Sequence, residues 1–193
     1  MTTNLVFAHT CIILDASCTI NLFASGQMDS ILTAIPRSVA VAAYVREQEA
    51  LRINVRSGDG ETRILQPIDL QPLIDRGLLI VVAPASEDEN ESYVNFAAVL
   101  GDDGEAITAA IALHRNWASA IDDRSATNLF RREAPQLQII STPELIKHWV
   151  DAMNPADAVV RLALEDVRAG ARYAPGRQHP LYEWWHGFTT RQP

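Results

Sequence analysis

An α/β protein with a parallel sheet covered on both faces is predicted by three observations on this 193-residue chain. Short, nearly continuous apolar runs recur ("CIIL", "SVAVA", "LLIVVA", "WASAI", "LQII"), which is how strands buried on both faces read. A helix-like stretch follows almost every run, with Gly, Pro, Asp and Ser at the junctions. The first run also ends on a carboxylate, Asp15, where a strand heading into the core meets a charge that is costly to bury alone.

Residues 11–15 read as a strand and 17–25 as a helix ending before Gly26. Residues 28–35 form a second short helix, closed by Pro36. The second strand, 38–42, runs into a helix over 44–52. Around 53–68, two β-rich arms flank Ser57-Gly58-Asp59-Gly60, a hairpin signal. Asp69 caps a short helix that ends with Gly77 in the C′ position, and 78–83 is the third strand. Ser86 opens a helix reaching Leu100, whose acidic first turn suits the helix dipole. After the turn "GDDG", 105–115 is an Ala-rich helix, 117–122 the fourth strand and 124–133 a helix. Residues 137–141 are the fifth strand, and Thr142 is expected to cap the next helix with Pro143 at its first position. Residues 1–152 then form one domain with the hairpin as an insertion, and 153–193 a C-terminal extension.

Composition narrows the function. Hydrophobic residues make up 48% and charged residues 21%, ordinary for a globular domain. The net charge is −8, and of 16 basic residues only Lys147 is a lysine. Such a balance argues against a simple nucleic-acid-binding module unless a local basic patch or bound cations reverse the sign. The longest apolar runs, such as Gly77 to Ala85, are too short to span a bilayer. No basic and apolar leader opens the chain, so a cytoplasmic location without membrane partners is expected. Cys11 and Cys18 lack the count for a disulfide framework and the spacing of a metal site.

In an open parallel sheet, ligands bind beyond the carboxyl ends of the strands. Asp15 closes strand one, and Asp122 and Asp123 close strand four in "SAIDDRSATNL". Glu105 opens a helix in "GDDGEAITAAIAL", and Glu47 lies one turn into the helix after strand two. A like-charged pair at ~4 Å costs roughly 4 kcal/mol at an effective dielectric of about 20. A divalent cation relieves that repulsion, and all-oxygen ligation points to Mg²⁺ or Mn²⁺. Such ions activate water and stabilise the departing oxygen of a phosphodiester.

With "IILDAS", a helix acid after strand two, "GEA" at a helix start and "DDR" after strand four, residues 11–142 resemble the PIN-domain nucleases. The resemblance implies a three-layer α/β/α sandwich and an Mg²⁺- or Mn²⁺-dependent ribonuclease acting on single-stranded RNA. Many bacterial members are VapC-type toxins, which implies an antitoxin partner, and a homodimer is implied too. Carried over by position, Asp15, Glu105 and Asp122 match the metal-binding acids, with Asp123 as a further ligand or support. Glu47 is the best match for the second acid and Glu49 its competitor. On a helix the two point about 200° apart, so only one faces the site. Ser17 and Asn21 resemble the polar residues that accompany the first Asp. The family's further acid after "GEA" is replaced by Ile107-Thr108, with Asp102 and Asp103 as substitutes. These departures leave a second reading, a catalytically silent PIN-like protein that binds RNA or a protein partner.

Rival enzyme classes lack their groups. A phosphoacceptor receiver domain needs a Lys after its last strand, where this chain has Thr142-Pro143. A haloacid-dehalogenase-type phosphatase needs D-x-D, where Asp15 is followed by Ala16-Ser17. No phosphate-binding glycine loop of either nucleotide-binding pattern occurs. The tail "HPLYEWWHGF" (179–188) is expected to fold over the apolar core in preference to stacking bases. Arg172 and Arg177 in the preceding loop are candidates for phosphate contact.

Overall fold

Leucine, isoleucine and cysteine in unbroken sequence make Cys11–Leu14 a strand with both faces buried, β1. It is the central strand of the molecule. The computed structural model describes residues 5–57 and 62–190. Beyond β1 come α1 (Ala16–Ala24), α2 (Met28–Ala34) and β2 (Ser38–Ala42), which pairs with β1 in parallel. A π-helical turn, Val45–Glu49, leads into β3 (Arg52–Arg56) and β4 (Arg63–Pro67). After α3 (Gln71–Asp75) and β5 (Ile80–Val82) come α4 (Glu87–Leu100) and α5 (Asp103–Arg115). The chain continues through β6 (Ala118–Ala120), α6 (Arg124–Glu133), β7 (Ile139–Ile140) and α7 (Thr142–Met153). It ends with α8 (Asp157–Asp166), a second π-helical turn (Val167–Ala171) and α9 (Tyr182–Thr190).

The five main strands form one parallel sheet in the order β5-β2-β1-β6-β7. Helices α1, α2 and α7 contact one another, while α5 lies on β1, β2 and β6 and carries α4. Phe96 of α4 meets Phe130 of α6 edge to face, which joins α6 to α4. The architecture is a three-layer α/β/α sandwich, as expected. The alanine run of α5 explains its close seat on the sheet: Ala106, Ala109, Ala110 and Ala112 are all fully buried. Small side chains there let a helix backbone approach strands whose own residues fill the space.

Three local expectations are corrected. The helix expected over 44–52 is instead a π-helical turn, closed by an i→i+5 bond from Ala50 N–H to Val45 O at 2.8 Å. Arg52 already belongs to β3, because Ile53 and Val55 alternate towards the core and pair across to β4. The helix after β7 is capped by Ser141, one residue earlier than expected. The Glu144 carboxylate accepts from Ser141 N–H at 2.8 Å and from its hydroxyl at 2.7 Å. The arms of the expected hairpin are β3 and β4, antiparallel with Arg52 opposite Pro67; its turn, Gly58-Asp59-Gly60, lies outside the described residues.

The extension after residue 152 shares the core of the rest. Val160, Ala163, Leu164, Val167 and Trp185 belong to the same buried cluster as the strands. Trp184 and Phe188 pack against it, so the aromatic tail is folded onto the core. Among the described residues, no helix is long and apolar enough to cross a membrane. Both cysteines are free and buried.

Candidate acidic site at the strand crossover

The sheet order places β2 and β5 on one side of β1, and β6 and β7 on the other. Chain connections leave β1 and β6 in opposite directions, which opens a crevice beyond their carboxyl ends. Asp15 and Asp122 flank that crevice. The two strand ends are tied by the Asp15 N–H bond to Ala120 O at 3.1 Å.

Asp15 is 1% exposed. Its position is explained by the helix it begins. As N-cap of α1 it accepts from Cys18 N–H at 2.7 Å on Oδ1, and from the Ser17 hydroxyl at 2.8 Å on Oδ2. These two bonds do not compensate for its surroundings. Burial first, then the charges of Asp122 and Glu105, hold its pKa well above the usual carboxylate range.

Asp122 is a hub. Its Oδ1 accepts from Thr142 N–H and from the Tyr173 hydroxyl, both at 2.9 Å. Its Oδ2 accepts from Asn21 Nδ2 at 2.8 Å, from the Cys18 thiol at 3.3 Å and from the Thr142 hydroxyl. A carboxylate offers about four lone-pair sites. Asp122 therefore holds α1, the start of α7 and the 173 loop in one place, and its oxygens are already filled by protein donors. Ser17 and Asn21, which resembled site companions in the sequence, do flank Asp15 and Asp122 respectively.

Asp123 is exposed and caps α6 through Ala126 N–H at 2.8 Å. Glu105 stands in the first turn of α5, behind the N-cap Asp102, whose carboxylate accepts from Glu105 N–H at 2.8 Å. Among the described residues no hydrogen bond is made to the Glu105 carboxylate. Burial, then the charges of Asp123, Asp102 and Glu49, push its pKa up to about 7. The acids are thus electrostatically linked in a chain: Asp122 to Asp15, Asp15 to Glu105, and Glu105 to Asp123 and Glu49.

Of the two glutamates after β2, the structure turns Glu49 towards this group. Glu47 is exposed on the outer side of the π-helical turn. Glu49 accepts from Gly104 N–H at 3.1 Å, and its other oxygen is buried with no hydrogen-bond partner. A Cβ at position 104 would overlap the end of that carboxylate, so a larger residue there requires the Glu49 side chain to swing away. Burial, then Asp102, raises the Glu49 pKa. Asp103, a substitute acid in the sequence, is instead engaged by the hydroxyls of Tyr44 at 3.2 Å and Tyr93 at 2.9 Å.

Three contributors escaped the sequence reading: Tyr173, Thr142 and Cys18. Tyr173 stood in a stretch that read as an arginine- and glycine-containing loop, and its aromatic ring was the one available signal. Arg172 and Arg177 beside it are exposed.

The donor set around Glu105 consists of carboxylate oxygens, which suits a hard divalent cation and not zinc. The orphaned oxygen of Glu49 fits the same demand. Among the described residues, no three His, Cys, Asp or Glu side chains stand close enough together to form a ready metal-binding group. No protein-family model matches the chain, and no curated protein matches it. Fold and crevice together define an α/β/α protein with a linked acid group at its topological switch point.

Proposed function

We propose that this chain is a divalent-cation-dependent ribonuclease of PIN type that hydrolyses single-stranded RNA. The observation that carries the reading is the buried Asp15 at the switch point, with no cationic side chain among the described residues shifting its pKa and with electrostatic coupling to Asp122 and Glu105. A protein that retains such repulsion at a ligand crevice is built for a positive ligand. Asp15, Glu105 and Asp123 would hold Mg²⁺ or Mn²⁺, with Glu49 adjacent. The cation, when bound, supplies charge neutralisation for the scissile phosphate and an acidified water. Asp122 keeps the helices and loop in register, and Asp15 presents its carboxylate at a rigid helix cap. With its pKa pushed up to about 7, the Glu105 carboxyl is only partly ionised near neutral pH, and it would give up its proton if a cation were held there.

The second reading, RNA binding without cleavage, is favoured by the saturation of Asp122. One assay separates the two: labelled single-stranded RNA with Mn²⁺, Mg²⁺ or EDTA. Cleavage in either metal and none in EDTA is the expected result. Intact RNA on several sequences, with a folded protein, would sink the nuclease reading.

The raised acids also make a stability prediction. The Glu105 carboxyl titrates at about 7 in the fold against 4.5 ordinarily. Because the folded value is the higher one, its stabilisation is fully present below pH 4.5 and is lost as pH rises through 7. The full linkage value is about 3 kcal/mol, which solvent screening of a half-exposed group reduces to roughly 1–2. Asp15 acts with the same sign. Metal-free protein is expected to melt higher near pH 5 than near pH 8, and Glu105→Gln to flatten that slope. A melting temperature that rises steadily from pH 5 to pH 8 would overturn the assignment.

A further inference from the structure

Beside Asp122 runs a trough of about 680 Å³, walled by α6 on one side and by the 173–180 loop of the C-terminal extension on the other. Arg124 and Arg131 both line it, and both are exposed. They stand seven residues apart on α6, two turns on one face, which separates them by about 10 Å along the axis. Asn128 lies between them on the same wall. Neighbouring Arg132 is paired with Glu133 at 2.7 Å. Among the described residues Arg124 and Arg131 are in no ion pair. Two cations without an ion pair therefore share one trough with Asp122, the member of the acid group that borders it, and with Glu144, whose carboxylate accepts from Ser141.

We propose that this trough seats the RNA strand adjacent to the cleaved bond, with Arg124 and Arg131 gripping successive stretches of its phosphate backbone. The inference rests on the nuclease reading and adds the strand's path to it. The facing wall is short of free base-reading groups. The Tyr173 hydroxyl is committed to Asp122, and its ring is set edge to face against Trp185. Both His179 nitrogens are occupied, Nδ1 accepting from Leu181 N–H at 3.1 Å and Nε2 lying 3.0 Å from the Ser141 hydroxyl. Gln178 is left as the exposed polar group of that wall. Phosphate contacts position a strand and base contacts specify it, so the trough binds with little sequence preference.

The test is binding of a fluorescent single-stranded RNA ten-mer to the full chain in EDTA, as a function of KCl. Two lost phosphate contacts lower the slope of log K against log salt by roughly 1.4 for a single strand. Arg124→Gln/Arg131→Gln is expected to show that reduction and to weaken binding tenfold or more. Arg124→Lys/Arg131→Lys restores the slope, and Arg132→Gln leaves it unchanged. An equal loss in Arg132→Gln would reveal general charge attraction and overturn the trough. So would an unaltered slope in the double Gln variant; if the wild type then still cuts RNA in Mn²⁺, the nuclease reading survives and only the strand's path is wrong. A wild type that neither binds nor cuts removes both.

Discussion

Asp15→Asn is expected to lower metal-dependent cleavage by about 10³-fold or more while leaving the melting temperature unchanged or higher. The two halves of that result have one cause. Asn is as good an N-cap as Asp, and its side-chain oxygen keeps the bond from Cys18 N–H. The Ser17 hydroxyl, which donates to the second oxygen, can rotate to accept from the new amide. What disappears is a buried charge facing Asp122 and Glu105, so repulsion falls. The same charge is what a cation needs, and losing several kcal/mol of charge stabilisation in a transition state corresponds to a rate loss of that size. Thermal unfolding and single-turnover cleavage on the same preparation check both halves. A variant that melts several degrees lower would mean that the Asp15 charge supports the fold, against the present reading of it as retained for a ligand. Full activity in the variant would remove Asp15 from the site.

How much of this was legible in the sequence depends on how local each cause is. The strands were, because a sheet covered on both faces requires apolar runs whatever else the chain does, and Ile12, Ile13 and Leu14 are buried as a consequence. Asp15 was legible for the complementary reason: a carboxylate beside such a run has few explanations. The choice between Glu47 and Glu49 was not. A regular helix was assumed, and the i→i+5 turn that turns Glu49 towards Gly104 leaves no mark in residue type. The cap of α7 shows a different limit. Ser141 and Thr142 are both competent caps, but the Thr142 hydroxyl and N–H are taken by Asp122, so the capping role falls to Ser141. That competition is decided by a residue 20 positions away. Tyr173 lies further still from Asp122 in sequence, and no periodicity connects the two.

Asp122→Ala is expected to be the most destabilising single change at the site, about 3–5 kcal/mol, and to lower the melting temperature by roughly 10 °C or more. Removing the carboxylate leaves the Asn21 amide, the Thr142 N–H and hydroxyl, and the Tyr173 hydroxyl without their shared acceptor. Asn21 and Thr142 are buried, so water cannot readily replace it. Asp122→Asn is expected to cost less, since one oxygen remains, but its new amide faces donors and repels them. Tyr173→Phe removes one bond of the group and is expected to cost about 1 kcal/mol. The order Ala, then Asn, then the Tyr173 variant is opposite to what a freely exposed ligand would produce, because a carboxylate surrounded only by other acids is relieved by neutralisation. Cleavage per folded molecule, measured well below the melting point, separates the two duties of this residue. If Asp122→Asn, once folded, cuts within a few-fold of the wild type, Asp122 acts by holding α1, α7 and the 173 loop around the acids that meet the cation. If it loses activity as deeply as Asp15→Asn, its oxygens must exchange protein donors for the cation during turnover, and the Tyr173 and Thr142 bonds are the ones that open.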